Sequence, residues 1–410
     1  MTQQAFIRKG KLLRSRVEFL SDGVRSDCLR SQNVSLQGNV LRAQHGWTVF
    51  NDKQKYTRFY EDYGSGLIAS TGEQLVKIDN SGAVTPYTFR SPVEPFVRVK
   101  YRDWIFGTTA NTGTLKLNKG NSYPYWSTRM DSLAVAGERI FGVYDSTLYF
   151  SNVSENFSDS AMQTVKLPSR CTALAAYGGV LYILGKTCYK LVPSAENTDI
   201  KFSALYDGLA DVLPDTVAVV GEKVVFATAN GLYYIANGKV KRVFDGVASV
   251  LRLDNMRAYA LDNYYVALCT LSNGAKTALM LDVNNGKTAG VLADVADIIK
   301  YRNMVLAVKT DGIIYRLDDT YADTVRFERA VDFDFSGPKF LRKMVIKTKF
   351  PAEVYITADN VTRLYKVRGK RGIQTLPVSG CGNSFTVKIS SSGETAVDVL
   401  ELIAETYGEI

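Results

Sequence analysis

One sequence unit recurs at a nearly constant interval between about Met130 and Asp319, and this recurrence restricts the chain to a repeat architecture. Its clearest copies are Leu133-Ala-Val-Ala-Gly-Glu-Arg-Ile-Phe-Gly-Val, Leu174-Ala-Ala-Tyr-Gly-Gly-Val-Leu-Tyr-Ile-Leu, Val217-Ala-Val-Val-Gly-Glu-Lys-Val-Val-Phe-Ala and Ile298-Ile-Lys-Tyr-Arg-Asn-Met-Val-Leu-Ala-Val. Each reads as an apolar strand, a tight turn and a second, more apolar strand. The first apolar residue after each turn gives the pivots Ile140, Leu181, Val224, Tyr264 and Met304, and a weaker form of the pattern extends back to Trp104 and Leu67. Seven pivots are thus separated by 37, 36, 41, 43, 40 and 40 residues. That interval suits a four-stranded propeller blade.

A third strand follows most pivots, as in Thr147-Leu-Tyr-Phe, Cys188-Tyr-Lys-Leu-Val, Gly231-Leu-Tyr-Tyr-Ile, Ala278-Leu-Met-Leu-Asp-Val and Gly312-Ile-Ile-Tyr-Arg-Leu. The turns carry residues that tolerate positive φ: Asn230-Gly231, Asn273-Gly274, Asn285-Gly286 and Asp311-Gly312. These are hairpins in series. A parallel sheet would need helical crossovers, and no long window sustains a helical apolar period. The repeat around Leu67 is degenerate, so the expected seven blades leave six open.

Composition narrows the function. Of 410 residues, 46% are hydrophobic and 11% aromatic, enough to fill a propeller core. A single histidine, His45, gives poor support to His-based zinc clusters or Ser-His-Asp triads, which argues against an enzyme, and no cofactor or metal site is expected. The cysteines Cys28, Cys171, Cys188, Cys269 and Cys381 are odd in number and lack C-x-x-C spacing, so they read as buried free thiols. No apolar run is long enough to span a bilayer, and the basic N-terminus lacks the apolar stretch of a secretory signal.

The net charge of +9 admits nucleic acid or acidic protein partners, and it is unevenly spread. Residues 1–30 hold seven Lys and Arg against three acids, and Lys339 to Lys388 hold eleven against Glu353 and Asp359. The end reverses sign, with Glu394, Asp398, Glu401, Glu405 and Glu409 and no base.

The expected organisation is a basic arm over 1–40, a β-propeller over 41–330 and a C-terminal β-sandwich over 331–410. A strand from one terminus often closes a propeller ring and removes its sheet edge. Val40–Phe50 and the run Val325-Arg-Phe-Glu-Arg-Ala-Val are both candidates, and the sequence does not choose between them. Asp332 to Lys339 reads as a linker with a turn at Gly337-Pro338. Beyond it, segments beginning at Met344, Ala352, Arg363, Ser384 and Ala396 alternate with period two and fit a small antiparallel sandwich. Alternation buries Met344 and Ile346 and puts Lys343, Lys347 and Lys349 on the other face.

Three stretches resemble tail proteins of short-tailed bacteriophages built on β-propellers, the nozzle or hub type. They are Asn33-Val-Ser-Leu-Gln-Gly-Asn-Val-Leu-Arg-Ala-Gln-His-Gly-Trp, Tyr149-Phe-Ser-Asn-Val-Ser-Glu-Asn-Phe-Ser, and Lys339-Phe-Leu-Arg-Lys-Met-Val-Ile-Lys with the later Gly382-Asn-Ser-Phe-Thr-Val-Lys-Ile. Where the family often shows Arg-Pro-Gly, this chain has Gln44-His45-Gly46. The resemblance implies a structural virion protein made in the host bacterial cytoplasm. Such a protein would form a ring, hexameric in the family, extend the DNA channel for ejection and dock neighbouring tail or adaptor proteins.

Candidate inter-subunit or channel contacts are Lys343, Lys347, Lys349, Arg368, Lys370, Arg371, Glu401 and Glu405. The basic face could meet passing DNA, an acidic neighbouring subunit such as the tail of the next copy, or solvent alone. The alternative from another class is a carbohydrate-binding propeller at the host surface, for which Tyr233, Tyr234, Tyr264 and Tyr265 are the candidate platform. A hydrolase or lyase using carboxylates comes third. Asp318-Asp319 and the Asp332/Asp334 pair read as backbone-serving residues at strand ends or in turns, and Asp282-Val-Asn-Asn-Gly-Lys lacks the downstream Glu of a calcium loop.

Overall fold

The computed structural model describes residues 11–17, 33–35, 41–43, 45–62, 66–86, 97–101, 104–109, 113–118, 121–152, 162–194, 200–244, 256–270, 276–321, 325–391 and 394–406. Four short strands come first: β1 (Leu12–Arg16), β2 (Val34–Ser35), β3 (Leu41–Ala43) and β4 (His45–Asn51).

Antiparallel sheets then follow in series. The first holds β5 (Arg58–Asp62), β6 (Leu67–Ser70), β7 (Leu75–Ile78) and β8 (Val84–Pro86). The second holds β9 (Val97–Tyr101), β10 (Trp104–Thr109), β11 (Gly113–Asn118) and β12 (Asn121–Trp126). The third holds β13 (Ser132–Ala136), β14 (Arg139–Tyr144), β15 (Thr147–Phe150) and β16 (Gln163–Lys166). In the fourth are β17 (Cys171–Tyr177), β18 (Val180–Gly185), β19 (Thr187–Leu191) and β20 (Phe202–Asp207). The fifth is β21 (Ala218–Val220), β22 (Lys223–Thr228), β23 (Gly231–Ala236) and β24 (Lys239–Val243). The sixth has β25 (Arg257–Leu261), β26 (Tyr264–Thr270) and β27 (Lys276–Asp282), after which comes β28 (Lys287–Ala293). The seventh has β29 (Val295–Tyr301), β30 (Met304–Lys309) and β31 (Ile314–Tyr321).

Every pivot lies at the start of a second strand. Leu67, Trp104, Tyr264 and Met304 open β6, β10, β26 and β30, and Ile140, Leu181 and Val224 are second in β14, β18 and β22. First strands of neighbouring sheets lie against one another, β9 on β13, β13 on β17, β17 on β21, β21 on β25 and β25 on β29. Contact of β29 with β5 returns to the first sheet. These contacts order the seven sheets as blades of a β-propeller, with the first beside the seventh, and the degenerate repeat at Leu67 is a full blade.

The chain's apolar residues fill the spaces between blades. Phe141, Leu148, Cys171, Leu174 and Leu181 share one buried cluster across the third and fourth blades. Tyr56, Phe59 and Leu67 of the first blade pack with Tyr301, Leu306 and Ile314 of the seventh. Ring closure uses the N-terminal candidate, since β4 is the fourth strand of the seventh sheet, beside β31. A blade completed by residues from both ends of the repeat cannot open without losing a strand ladder.

The other candidate, β32 (Val325–Val331), pairs with β37 (Phe385–Ser391) instead, in a four-stranded sheet with β34 (Ala352–Ala358) and β35 (Val361–Val367). The facing sheet contains β33 (Lys339–Thr348), β36 (Gln374–Gly382) and β38 (Ala396–Thr406), with β1 and β3 on β38 and β2 between β3 and β28. Its alternation is regular: Val354, Ile356, Val387 and Ile389 are buried in one sheet, and Met344, Ile346, Leu400 and Leu402 in the other.

Two compact units result, Thr48–Gly286 with Asp294–Leu317, and Met1–Trp47 with Lys287–Ala293 and Asp318–Ile410. These bounds differ from the expected 1–40, 41–330 and 331–410. Described parts of the expected arm are strands of the second unit, because Leu13 and Val17 are buried and β1 is laddered to β38 from Leu12↔Glu405 to Arg16↔Glu401. Residues 332–338 are irregular, but they connect β32 and β33, two strands of the same unit, so they are not the expected linker between propeller and sandwich. Turns at Asn230-Gly231, Asn285-Gly286 and Asp311-Gly312 are present, with Gly286 at φ 66 and Gly312 at φ 80. Asn273-Gly274 lies outside the described residues, as does most of the stretch from Tyr149 to Ser158.

Candidate interaction surface

The second unit gathers the predicted charged residues on two places. The first is the outward face of β1, β38 and β33, where β38 is central. Leu400 and Leu402 point inward opposite Ile346 and Met344, so Glu401 points outward with Lys343 and Lys347 placed diagonally across the ladder. Arg16 of β1 stands directly opposite Glu401 on the other side. The Lys347 ammonium lies 2.8 Å from Asp398, and the Arg342 guanidinium donates to Glu405 at 2.9 Å.

The acidic C-terminal strand thus lies between two basic strands of its own chain. The Glu405 carboxylate is used by Arg342 within the sheet. Half-exposed pairs of this kind contribute little each. Their effect is on register, because a two-residue slip of β38 would separate both pairs.

The second place is the loop between β35 and β36, which carries Arg368, Lys370 and Arg371. A Cβ added at Gly369 would stand 2.5 Å from the carbonyl oxygen of Lys349, so glycine lets the loop backbone lie directly on the end of β33. The Lys370 N–H donates to the Thr348 carbonyl at 2.9 Å, and Gln374 Nε2 donates to the Arg368 carbonyl at 2.7 Å. This folds Arg368, Lys370 and Arg371 next to Lys349, all four exposed. None of them meets a carboxylate among the described residues. Lys349 rests its ammonium over the Phe350 ring, 4.9 Å from the centroid. Lys339 departs from the rest of this basic region: it is buried and donates to the carbonyls of Phe335 and Gly337 at 2.6 and 2.8 Å.

The propeller holds a buried ionic cluster that sequence reading missed. Asp297 in β29 is fully buried, accepts from the Phe59 N–H at 2.6 Å and has the Arg257 guanidinium at 3.9 Å. Arg257 also donates to the Ala296 carbonyl at 2.8 Å, and Arg58 reaches Asp215 at 3.3 Å. Burial alone would weaken the hold of Arg58 on its proton, but Asp215, with Tyr259, Tyr60 and Asp297 behind it, outweighs this and raises the guanidinium further. These residues come from the first strands of blades one, six and seven and from the turn before blade five. Two guanidinium groups facing two carboxylates leave no net charge to recruit an ion. The signal in the sequence was Asp297 inside Val295-Ala-Asp-Ile-Ile, a charge where an inner strand should be apolar.

The candidate aromatic platform is dispersed. Tyr265 is buried, donates to the Thr216 carbonyl at 2.7 Å and is pushed well above the usual tyrosine range by that burial. Tyr233 stacks on Phe226, and Tyr234 lies under the Lys223 ammonium. That same ammonium binds the Val283 carbonyl at 3.0 Å and the Asn284 amide oxygen at 2.9 Å, so the loop from Asp282 uses its oxygens on a lysine. Asp332 accepts the Asp334 N–H at 2.9 Å, the expected backbone service, whereas Asp318 lies within β31 rather than in a turn. Of the cysteines, Cys171, Cys188 and Cys269 are buried as expected, but Cys381 is exposed, because β36 is an edge strand. Among the described residues no three His, Cys, Asp or Glu side chains converge as a metal site, and no helix is long and apolar enough to cross a membrane.

Fold and surface together define a β-propeller carrying a β-sandwich whose exposed charge lies on sheet faces and one loop. No family model and no curated protein matches the chain. Among solved structures, it is similar to BamB from Moraxella catarrhalis at 10% identity and a TM-score of 0.42, over 74% of this chain and 99% of that one. It is also similar to BBS1N in complex with ARL6DN, at 12% identity and a TM-score of 0.45, over 67% of this chain and 98% of that one. The computationally designed Ika8 protein is similar at 11% identity and a TM-score of 0.41, over 66% of this chain and 98% of that one.

Proposed function

We propose that the chain is a structural component of a short-tailed phage tail, a ring-forming nozzle or hub protein that extends the DNA channel and docks other tail proteins. One observation supports this above others: two of the three stretches that resemble that class, the N-terminal and the C-terminal one, supply strands that bring the two ends of the chain into one sheet. Val34, at the head of the N-terminal motif, and Leu41 within it are fully buried in β2 and β3, and β3 is laddered to β38. The same motif runs on into β4, which completes the seventh blade. The C-terminal motif supplies β33 and β37, one strand to each sheet of the sandwich. Fold alone would license no function.

The test is imaging of the purified full chain in negative stain. Discrete rings with a central opening are the expected outcome, and single propellers at every concentration would overturn the proposal.

A further inference from the structure

The sandwich carries a sheet edge with no strand on it among the described residues. In the sheet β32-β37-β34-β35, β35 is terminal, and it pairs with β34 in unbroken register from Ala352↔Val367 to Ala358↔Val361. Its other side, a row of main-chain N–H and C=O groups seven residues long, has no strand partner among the described residues. Natural proteins usually blunt such an edge with a proline, a bulge, a cover or charged side chains, and of these β35 has only the charges of Arg363 and Lys366. The neighbouring edge strand β36 has its proline, Pro377, and a register shift against β33. β35 has neither.

Beyond being unpaired, the strand is shaped for a partner. Val361 and Leu364 are 61% and 44% exposed, and Ile373, just past the basic loop, is 64% exposed. Tyr365 braces the strand from behind: its hydroxyl accepts the Ser379 N–H at 3.0 Å and faces the Ser379 carbonyl at 3.2 Å. Arg363 donates to the Ser379 hydroxyl. These contacts hold the middle of the edge in place before anything binds.

Charge identifies the occupant. From Val361 to Gln374 the chain has Arg363, Lys366, Arg368, Lys370 and Arg371 and no acid. A second copy of β35 in antiparallel pairing would set these bases against like charges. Nucleic acid would use the bases but leave Val361, Leu364 and Ile373 uncovered. We infer that β35 and the loop after it are a docking edge for an extended acidic segment of another protein, which adds to the sheet as a fifth strand. Main-chain bonds would supply affinity, the apolar side chains alternate pockets, and the loop cations the preference for acid. The inference does not depend on the chain forming a ring.

The experiment titrates the full chain into a fluorescent, alternating Glu-Val peptide of about nine residues, a length that covers one strand. Saturable binding is expected, with slowed amide exchange over 361–367. The same peptide with every backbone amide methylated, which keeps charge and side chains but cannot join a ladder, should not bind. Replacing Arg368→Glu together with Arg371→Glu, both exposed and, unlike Lys366 beside Glu353, without a carboxylate partner among the described residues, should weaken the acidic peptide by about tenfold or more and favour a Lys-Val counterpart. Equal binding of the methylated peptide, or of the Lys-Val peptide to the unaltered chain, would overturn the inference. So would absence of binding, or tighter binding of a DNA oligonucleotide that is lost on the same charge reversal.

Discussion

The hydroxyl of Tyr56 donates a 2.7 Å hydrogen bond to Oδ1 of Asn51, and both residues are almost wholly buried. Asn51 ends the closing strand β4 of the seventh blade, and Tyr56 leads into the first strand of the first blade. Nδ2 of Asn51 donates to the Gly82 carbonyl at 2.9 Å, and its Oδ1 also accepts the Lys53 N–H at 3.1 Å. One amide thus holds together the two ends of the ring. Tyr301 adds a second tie across the same seam, donating to Asn80 at 2.8 Å.

Asn51→Ala should therefore destabilise the propeller by roughly 3 kcal/mol, since it strands a tyrosine hydroxyl and a carbonyl out of water. Urea unfolding of the full chain measures this. Asn80→Ala, at the more exposed tie, should cost less.

Asp297 leads to a graded pair of substitutions. Asp297→Ala removes the acceptor of the Phe59 N–H and leaves the Arg257 guanidinium without its buried counter-charge, a loss of about 3 kcal/mol or more. Asp297→Asn keeps an acceptor and should lose less. Equal stability of all three proteins by thermal unfolding would show the cluster to be inert.

The thiols should differ sharply in reactivity. Burial pushes Cys171 and Cys269 up to about 12 and Cys188 up to about 11, so none carries appreciable thiolate at neutral pH. Cys381 is exposed. In a Cys28→Ser background, a thiol reagent at pH 8 should label one site quickly, and Cys381→Ser should abolish that phase.

Asp359 predicts a pH dependence. Its carboxylate accepts the Ser384 N–H and hydroxyl, each at 2.9 Å, and the Asn383 N–H, and these bonds hold it below the usual carboxylate range. A depressed folded-state value gives stability that is present above the unfolded carboxylate's range and lost as pH falls through the folded one. The difference in Tm between the natural chain and Asp359→Ala should accordingly be full at pH 7 and shrink below about pH 4.

Much of this fold was legible because its period is written in apolar residues. Each pivot marks a second strand, and glycines such as Gly286 and Gly312 take the positive φ their turns need, although Glu138, Asp262 and Arg302 do the same in the turns before three pivots. What stayed hidden lacked a local signal. β36 contains Pro377, Gly380 and Gly382, which read as breakers, yet an edge strand tolerates them. β1 buries only Leu13 and owes its strand to β38, nearly four hundred residues away. β32 alternates equally well for either unit, and only tertiary pairing with β37 decides. For the surface, alternation correctly separated Lys343 and Lys347 from Met344 and Ile346. It could not show that Asp398 and Glu405 would meet Lys347 and Arg342 of the same chain.

The most direct test of the proposed function is the mass of the full chain in solution, measured by native mass spectrometry across micromolar concentrations. A protomer is 45.4 kDa, and a single closed assembly at a sixfold multiple of that mass is the predicted result. A species of 45.4 kDa alone throughout the range would contradict it.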